Sequence, residues 1–367
     1  MVALVEDVLP WLVAFFLLDA VVQLRRGQVV FARTGLERYR LLGPGLHLAG
    51  ALPFGAALIA YELPFLPTRE GLWVFDPDAR HAPPVILADA VSFIPWASLG
   101  TVQGEGMAVK GGSRVLFRAR SPRAARALSA ELAALASETE GAREAGIKRW
   151  LEARCDVEAA HAQWKRVRRP AFVAAAFGTV ESLVLFGAVP ALAFLPGADV
   201  LGWERMAVLL GLSHLGALCG AAWALARSGA SAADVTSALS TLLFFPPYAA
   251  RAGLHALRDA LSGFEPLAVG AVVLPRADFL RLARRELVRT EESLEATRRL
   301  GLAPFWDARR EALKRLLVAA GTSEREVLAP PHAHEAAAWC PLCATEYRAG
   351  FARCSDCGVA LALHPPG

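Results

Sequence analysis

From residue 165 to residue 194 the chain reads KRVRRPAFVAAAFGTVESLVLFGAVPALAF. Four basic side chains stand in front of a long apolar run, 171–194, in which Glu181 carries the only charge. A helix of about 20 apolar residues spans a bilayer core, and lysine and arginine collect at its cytoplasmic end. The stretch therefore predicts a transmembrane helix that enters the membrane from the cytoplasm.

Two further apolar stretches agree with this direction. Residues 8–24 are followed by Arg25 and Arg26, and residues 206–226 are followed by Arg227. A cleaved secretory signal would instead carry its basic residues in front of the apolar run. We therefore expect three spans, with the N-terminus outside and the C-terminus in the cytosol.

The composition of the whole chain is compatible with a membrane protein. Hydrophobic residues make up 55% of the 367 positions, and the mean hydropathy is +0.37. Only 4 of the 39 basic residues are lysine, a bias towards arginine that indicates a GC-rich bacterial genome and hence a bacterial inner membrane. The formal net charge of +4 is too small to demand a nucleic-acid partner.

Two other apolar stretches do not predict simple spans. Residues 41–66 contain repeated glycine and proline, and a span there would place the basic cluster at 165–169 outside, so strands and turns are expected. Residues 239–245 are halted by two prolines, which favours an interfacial or re-entrant segment. Ser231 and Asp234 are typical of the start of its helix.

The remaining parts alternate between strand and helix patterns. Before residue 120, short β-prone runs and a Lys110-Gly-Gly-Ser113 turn predict several strands. A helix is expected from Ser121-Pro122 to about Ser137, with Ala124, Leu128, Leu132 and Leu135 on its inner face. Charged helices are expected over 140–169, 277–300 and 305–320, with Gly301 and Pro304 separating the last two.

Four cysteines close the chain in two pairs. Cys340-Pro-Leu-Cys343 and Cys354-Ser-Asp-Cys357 are separated by ten residues. In a reducing cytosol such pairs bind zinc tetrahedrally, and four thiolates leave no open position for water or substrate. A structural zinc ion is therefore predicted. Iron in a rubredoxin-like site is the competing interpretation.

Three local resemblances accompany these patterns. The segment 339–361, with both cysteine pairs, resembles a short zinc ribbon. The strands and packed helix of 28–140 resemble a small bacterial pleckstrin-homology-like module, although no motif residue decides this. Arg38-Tyr-Arg-Leu-Leu-Gly-Pro-Gly-Leu-His-Leu48 resembles the opening of a band-7 (stomatin-like) domain, although the long oligomerising helix of that family is not evident.

The predicted fold is thus a multi-part α+β membrane protein. Its expected parts are an N-terminal transmembrane anchor (1–27), a cytosolic β-rich module with one helix (28–140), a charged linker helix (141–170), a transmembrane helix pair (171–229), an interfacial or re-entrant segment (230–275), cytosolic helices (276–330) and a zinc ribbon (339–361).

Two polar residues lie within the expected helix pair. Glu181 is ten residues from the cytoplasmic start of its span, and His214 is twelve residues from the cytoplasmic end of the next one. At about 1.5 Å per residue, both lie about 15–18 Å deep, so antiparallel neighbours would bring them together. Intramembrane carboxylates are rarely idle. The pair is expected either to lock the two helices or to take part in a proton or ion step.

No catalytic motif is evident in the sequence, so an enzyme is not favoured. The leading hypothesis is an inner-membrane protein that contacts the lipid bilayer and presents cytosolic modules to protein partners. One alternative is a membrane-tethered nucleic-acid-binding regulator, in which the arginine-rich helices contact phosphate. The other is a small oligomeric transporter or channel subunit that uses Glu181 and His214.

Overall fold

The computed structural model shows an α+β protein dominated by helices. The residues that it describes are 29–33, 39–42, 57–60, 65–75, 91–119, 122–184, 200–244, 256–257, 259–331, 336–342, 344–355 and 358–363. The predicted first span, 8–24, and the end of the second, 185–194, lie outside these residues. Two compact units divide the chain: unit 1 comprises 1–61 and 161–263, and unit 2 comprises 62–160 and 264–367.

Unit 1 contains one described sheet and three long helices. Its strands are β1 (Val29–Arg33), β2 (Tyr39–Leu42) and β3 (Ala57–Ala60), antiparallel in the order β2-β1-β3. The described residues within 41–66 are therefore strands, as expected from their glycine and proline content. The helices are α3 (Val157–Leu183), which belongs to this unit from residue 161 onwards, α4 (Val200–Arg227) and α5 (Ala232–Phe244).

Unit 2 begins with two antiparallel sheets of three strands each. The first consists of β4 (Phe65–Pro67), β5 (Gly71–Phe75) and β6 (Val91–Pro95). The second consists of β7 (Val102–Glu105), β8 (Ala108–Gly111) and β9 (Arg114–Arg118). The hairpin between β7 and β8 was not expected from the sequence. Gly106, at a positive φ of 56°, provides its turn.

Helix α1 (Pro122–Ser137) packs on β7 and has the predicted bounds. A Cβ atom at Gly104 in β7 would lie 2.9 Å from the backbone nitrogen of Arg126, so the missing side chain permits the close contact. The predicted inner face is only partly correct. Leu132 and Leu135 are buried, whereas Ala125 and Ser129, one residue beyond the predicted positions, are buried in the first two turns.

The expected continuous linker helix over 140–169 is instead two helices. The first is α2 (Glu140–Arg154). After a break at Cys155 and Asp156, α3 begins and runs through the basic cluster and Pro170 into the apolar stretch. The physical reason is a cap: the Asp156 carboxylate accepts the backbone N–H of Ala159 at 2.9 Å, which starts a new helix.

Four C-terminal helices also belong to unit 2. They are α6 (Pro266–Val273), α7 (Arg276–Thr297), α8 (Ala303–Ala319) and the short α9 (Glu324–Leu328). Gly301, at φ 71°, ends the turn between α7 and α8, as its position in the sequence predicts. The expected interfacial segment 230–275 does not belong to one part of the protein. Its residues up to 263 lie in unit 1, whereas α6 is buried in unit 2. A Cβ atom at Gly270 would lie 2.6 Å from the Leu282 side chain, so α6 packs closely on α7.

Within unit 2, Arg143 joins α2 to the strands. Its guanidinium donates to the carbonyl oxygens of Arg69 at 2.9 Å and Glu138 at 2.7 Å, and it lies over the Trp96 ring. Phe65 contacts Phe117 and Trp150, at ring-centroid distances of 5.4 Å and 5.7 Å. A buried cation and an aromatic cluster therefore hold the β-rich region against its helices.

Candidate functional site

Two turns of the C-terminal knob have the same backbone geometry. The carbonyl oxygen of Cys340 accepts the N–H of Ala344 at 2.9 Å, and that of Cys354 accepts the N–H of Gly358 at 2.9 Å. The N–H of Cys340 donates to the carbonyl oxygen of Thr345, and the N–H of Cys354 donates to the carbonyl oxygen of Val359, again at 2.9 Å in both cases. The two turns are therefore equivalent in their hydrogen bonds.

Each turn also places a residue in the left-handed region, four positions after its first cysteine. Gly358 has φ 70° and Ala344 has φ 57°. Glycine adopts this conformation freely, whereas alanine is strained there. Ala344 is the one non-glycine residue with a positive φ among the described residues. Such an exception indicates that the surrounding turn determines its conformation.

The second cysteine of each pair, Cys343 and Cys357, lies outside the described residues, so their sulfur positions are not stated. Cys340 and Cys354 are both buried. The described residues contain no group of three or more potential metal ligands. Two equivalent turns, each with a buried cysteine at its first position, nevertheless fit the chemistry of a tetrahedral thiolate site.

Tyr347 lies beside the second cysteine turn. Its hydroxyl oxygen is 3.1 Å from Cys354 Sγ and accepts the backbone N–H of Ser355 at 3.0 Å. Its ring contacts Phe351, with centroids 5.6 Å apart. Hydrogen bonds from neighbouring groups orient metal-binding side chains and tune their charge. Tyr347 is thus placed to orient the side chain of Cys354.

A second polar site lies between α3 and α4. The structure places His214 Nδ1 2.9 Å from Glu181 Oε1, so the two residues singled out from the sequence are in hydrogen-bond contact. The Glu181 side chain is 1% exposed and that of His214 is 20% exposed. The other carboxylate oxygen, Oε2, is buried and has no hydrogen-bond partner among the described residues. A buried carboxylate oxygen without a partner is energetically costly, and such atoms are concentrated at functional sites.

Small side chains allow α3 and α4 to approach each other at this site. A Cβ atom at Gly220 would lie 2.6 Å from the backbone nitrogen of Ala174. Ala174, Ala217 and Ala221 form a fully buried cluster beside it. Small residues at helix contacts, here from both helices, let two backbones pack closely.

The opposite face of α4 is apolar and exposed. Val208, Leu212 and Leu215 are each more than half exposed. Among the described residues, Glu204–Arg227 is the one helix long and apolar enough to cross a membrane. The apolar residues of α4 that the structure shows as fully buried are therefore small, whereas several of its large apolar side chains are exposed.

A third cluster, centred on Arg309 in α8, was not predicted from the sequence. The Arg309 guanidinium binds Glu265 Oε1 at 3.1 Å and Glu286 Oε2 at 3.0 Å, and it donates to Thr290 Oγ1 at 2.6 Å. Burial favours a raised pKa for Glu265, but Arg309 and Arg154 outweigh it, so the pKa of Glu265 lies below its usual range. We call Arg309, Glu265, Glu286 and Thr290 the arginine cluster.

The arginine cluster was missed because arginines and glutamates on a charged helix ordinarily face solvent. The one available signal was Glu265, which directly precedes an apolar helix start. Cys155 lies near the same charges. Burial and the nearby Glu265 carboxylate raise the pKa of the Cys155 thiol, which therefore stays protonated and unreactive at neutral pH.

The charged faces of α7 and α8 are matched by carboxylates. Arg276 pairs with Glu326 at 3.0 Å, and Arg310 pairs with Glu291 at 2.7 Å. Arg315 pairs with Glu152 at 2.8 Å. Much of the positive charge that could contact phosphate is therefore already neutralised within unit 2.

Comparison of the chain with family models, curated proteins and solved structures finds no match to any of them. The interpretation of the three sites therefore depends on their geometry and chemistry alone.

Proposed function

We propose that this protein is an integral protein of a bacterial inner membrane that presents cytosolic modules to protein partners. The observation that carries the proposal is the exposed apolar face of α4. Val208, Leu212 and Leu215 lie in a row that water would disfavour and lipid tails would cover. The sequence predicts two further spans, 8–24 and 171–194, and its basic flanks favour a C-terminus in the cytosol.

The C-terminal knob is proposed to be a structural zinc ribbon. Cys340, Cys343, Cys354 and Cys357 would supply four thiolates, and the two equivalent turns support this role. When bound, zinc would supply the free energy that so small a knob cannot obtain from apolar burial. Its four filled positions exclude substrate, which favours a part in stability and interaction.

The proposed orientation is tested by labelling single cysteines in intact cells with a membrane-impermeant thiol reagent. In a chain whose native cysteines outside the knob are replaced, Asp199→Cys should be labelled from outside. A cysteine at Ser323 should be labelled only after the membrane is opened, and the wild-type protein should resist extraction at alkaline pH. Labelling of Ser323→Cys in intact cells would contradict the proposed orientation.

The protein partners are tested separately by crosslinking in membranes. A reproducible partner that is lost when the four knob cysteines are changed to serine, with the protein still in the membrane, would support an interaction role for the knob. Capture of a protein partner that does not depend on unit 2 would contradict an interaction role for the knob.

A nucleic-acid partner is less favoured because of the carboxylate pairs on α7 and α8. If the protein were a nucleic-acid-binding regulator, the whole protein should bind RNA or DNA with a steep dependence on salt concentration.

A second candidate function is that of a small transporter or channel subunit, favoured by the contact between Glu181 and His214. The buried Oε2 atom, which has no partner among the described residues, could accept a proton or a cation. Proton flux into vesicles containing the purified protein tests this function. Flux should fall at least tenfold in Glu181→Gln and remain unchanged in Glu204→Gln, which alters an exposed carboxylate on α4. Absence of flux in the wild type would remove this candidate.

A further inference from the structure

Arg284, in the middle of α7, connects this helix to the knob. It is 2% exposed. Its Nε atom donates to the carbonyl oxygen of Val327 at 2.9 Å, and Nη2 donates to the carbonyl oxygen of Ala329. The Cζ atom of the guanidinium lies over the Trp339 ring, 4.7 Å from its centroid. A cation over an indole ring makes a favourable contact, particularly when both are shielded from water.

Trp339 is the residue directly before Cys340, so the same short segment holds the ring and a proposed metal ligand. It belongs to β10 (Ala338–Trp339), which pairs with β11 (Glu346–Tyr347) and β12 (Ala362–Leu363). Each strand has two residues, and a sheet of this size has little stability of its own. A metal ion bound by the neighbouring cysteines would therefore determine whether Trp339 stays in place.

The arginine cluster is a second set of buried contacts on the same helix. Arg284 and Glu286 are two residues apart on α7, and Glu286 binds Arg309 of α8 at 3.0 Å. Arg309 in turn binds Glu265, whose backbone N–H donates to the carbonyl oxygen of Arg154 at the end of α2. Helix α7 thus makes buried polar contacts on two faces: Arg284 contacts Val327 and the segment before the knob, and Glu286 contacts Arg309 of α8.

We propose that the Arg284–Trp339 contact couples metal binding in the knob to the order of α7. Zinc fixes the turn at Cys340, the turn fixes Trp339, and Trp339 covers the buried Arg284 guanidinium. Loss of the ion releases Trp339 and uncovers that guanidinium, so α7 opens more often. The coupling rests on the proposed zinc site, and it makes the knob a metal-dependent brace for the helices of unit 2.

Hydrogen–deuterium exchange of the full-length protein, with zinc bound and after chelation, tests this coupling. Zinc content is measured in parallel by mass spectrometry. In the wild type, chelation should raise amide exchange in 276–297 at least fivefold. Trp339→Ala should bind zinc, show raised exchange in that helix from the start and change less than twofold on chelation. Trp339→Phe, which keeps an aromatic face, should restore part of the response.

Arg281→Ala is the matched control, because it removes an exposed pair with Asp278 from the same helix and should respond to chelation like the wild type. Loss of zinc from the wild type without any change in 276–297 would overturn the coupling and leave the zinc site intact. A protein that binds no zinc would overturn both. If neither Trp339 variant bound zinc, a wild-type response in zinc-loaded Arg284→Met would also overturn the proposal, because this variant keeps a long side chain but places no cation over the Trp339 ring.

Discussion

Units 1 and 2 each bury a charged or chargeable group, but they satisfy it differently. In unit 1, Glu181 contacts His214 through one oxygen, and its other oxygen is buried without a partner among the described residues. In unit 2, Arg309 binds two carboxylates and a threonine hydroxyl. The number of partners, rather than burial, separates the two sites.

The difference bears on what each site can do. Each of the three nitrogen atoms of the buried Arg309 guanidinium has a partner, and two of these are carboxylates, so the arginine cluster serves to hold α6, α7 and α8 together. A buried carboxylate with a spare oxygen keeps the capacity for a ligand, which is why Glu181 supports the second candidate function. Four predictions test this comparison and the geometry around it.

The largest effect is expected from removing the cation of the arginine cluster. Arg309→Leu leaves the Glu265 and Glu286 carboxylates buried without their guanidinium partner, which should lower the free energy of unfolding by about 3–5 kcal/mol. Denaturant unfolding of the purified protein measures the loss. Arg315→Ala, on the same helix but in an exposed pair, should cost no more than about 1 kcal/mol. Similar costs for the two variants would contradict the role assigned to Arg309.

Acid should weaken the same cluster. The pKa of Glu265 is lower in the folded protein than in the unfolded chain. The contribution of Glu265 to the free energy of unfolding is therefore complete above the unfolded pKa of about 4.3. That contribution is lost as the pH falls through the folded pKa. Unit 2 should therefore lose stability in that acidic range. Glu265→Gln should be less stable at neutral pH and lose less on acidification; an unchanged acid dependence would count against the assignment.

An intermediate effect is expected where α3 and α4 meet. Gly220→Ala places a methyl group against the backbone of Ala174 and should cost about 1–3 kcal/mol, because the helices must move apart. Gly211→Ala is the matched control on α4. Its new methyl group meets nothing within 4 Å, and alanine favours the helix by up to about 1 kcal/mol. In thermal unfolding measured in detergent, the midpoint temperature should be lower than in the wild type for Gly220→Ala and should not be lower for Gly211→Ala.

The smallest effects concern the knob. Ala344→Gly should relieve a left-handed conformation and stabilise the first cysteine turn by about 1 kcal/mol. Gly358→Ala introduces the same strain into the second turn and should destabilise it by a similar amount. Competition for zinc against a chelator measures both changes. The change in zinc affinity should have opposite signs in the two variants, and changes of the same sign would contradict the equivalence of the two turns.

Much of the local structure was predictable from residues that act over short distances. The serine and aspartate at 231 and 234 exchange hydrogen bonds at the start of α5, as their spacing predicts. Pro122 and Gly301 mark helix boundaries for similar local reasons. The contact between Glu181 and His214 could be anticipated because depth along a straight helix follows from residue number.

The arginine cluster and the break at Cys155 were not predictable in this way. Arginine and glutamate have the same pattern on a solvated helix and in a buried ion cluster, so only the neighbouring helices distinguish them. Asp156 could have been one more charge on a long helix, and its capping contact with Ala159 decides otherwise. The Arg284 contact with Trp339 joins residues 55 positions apart, which no local pattern encodes.

The sequence by itself determined the apolar stretches, the two cysteine turns and those helix boundaries that local signals mark, such as Pro122 and Gly301, because backbone preferences, caps and spacing are local. Only the tertiary structure decided which charged residues are buried, which glycines permit helix contact and which carboxylate oxygen lacks a partner. Those outcomes depend on side chains distant in the chain, since burial changes the free energy of a charge far more than its neighbours in sequence do.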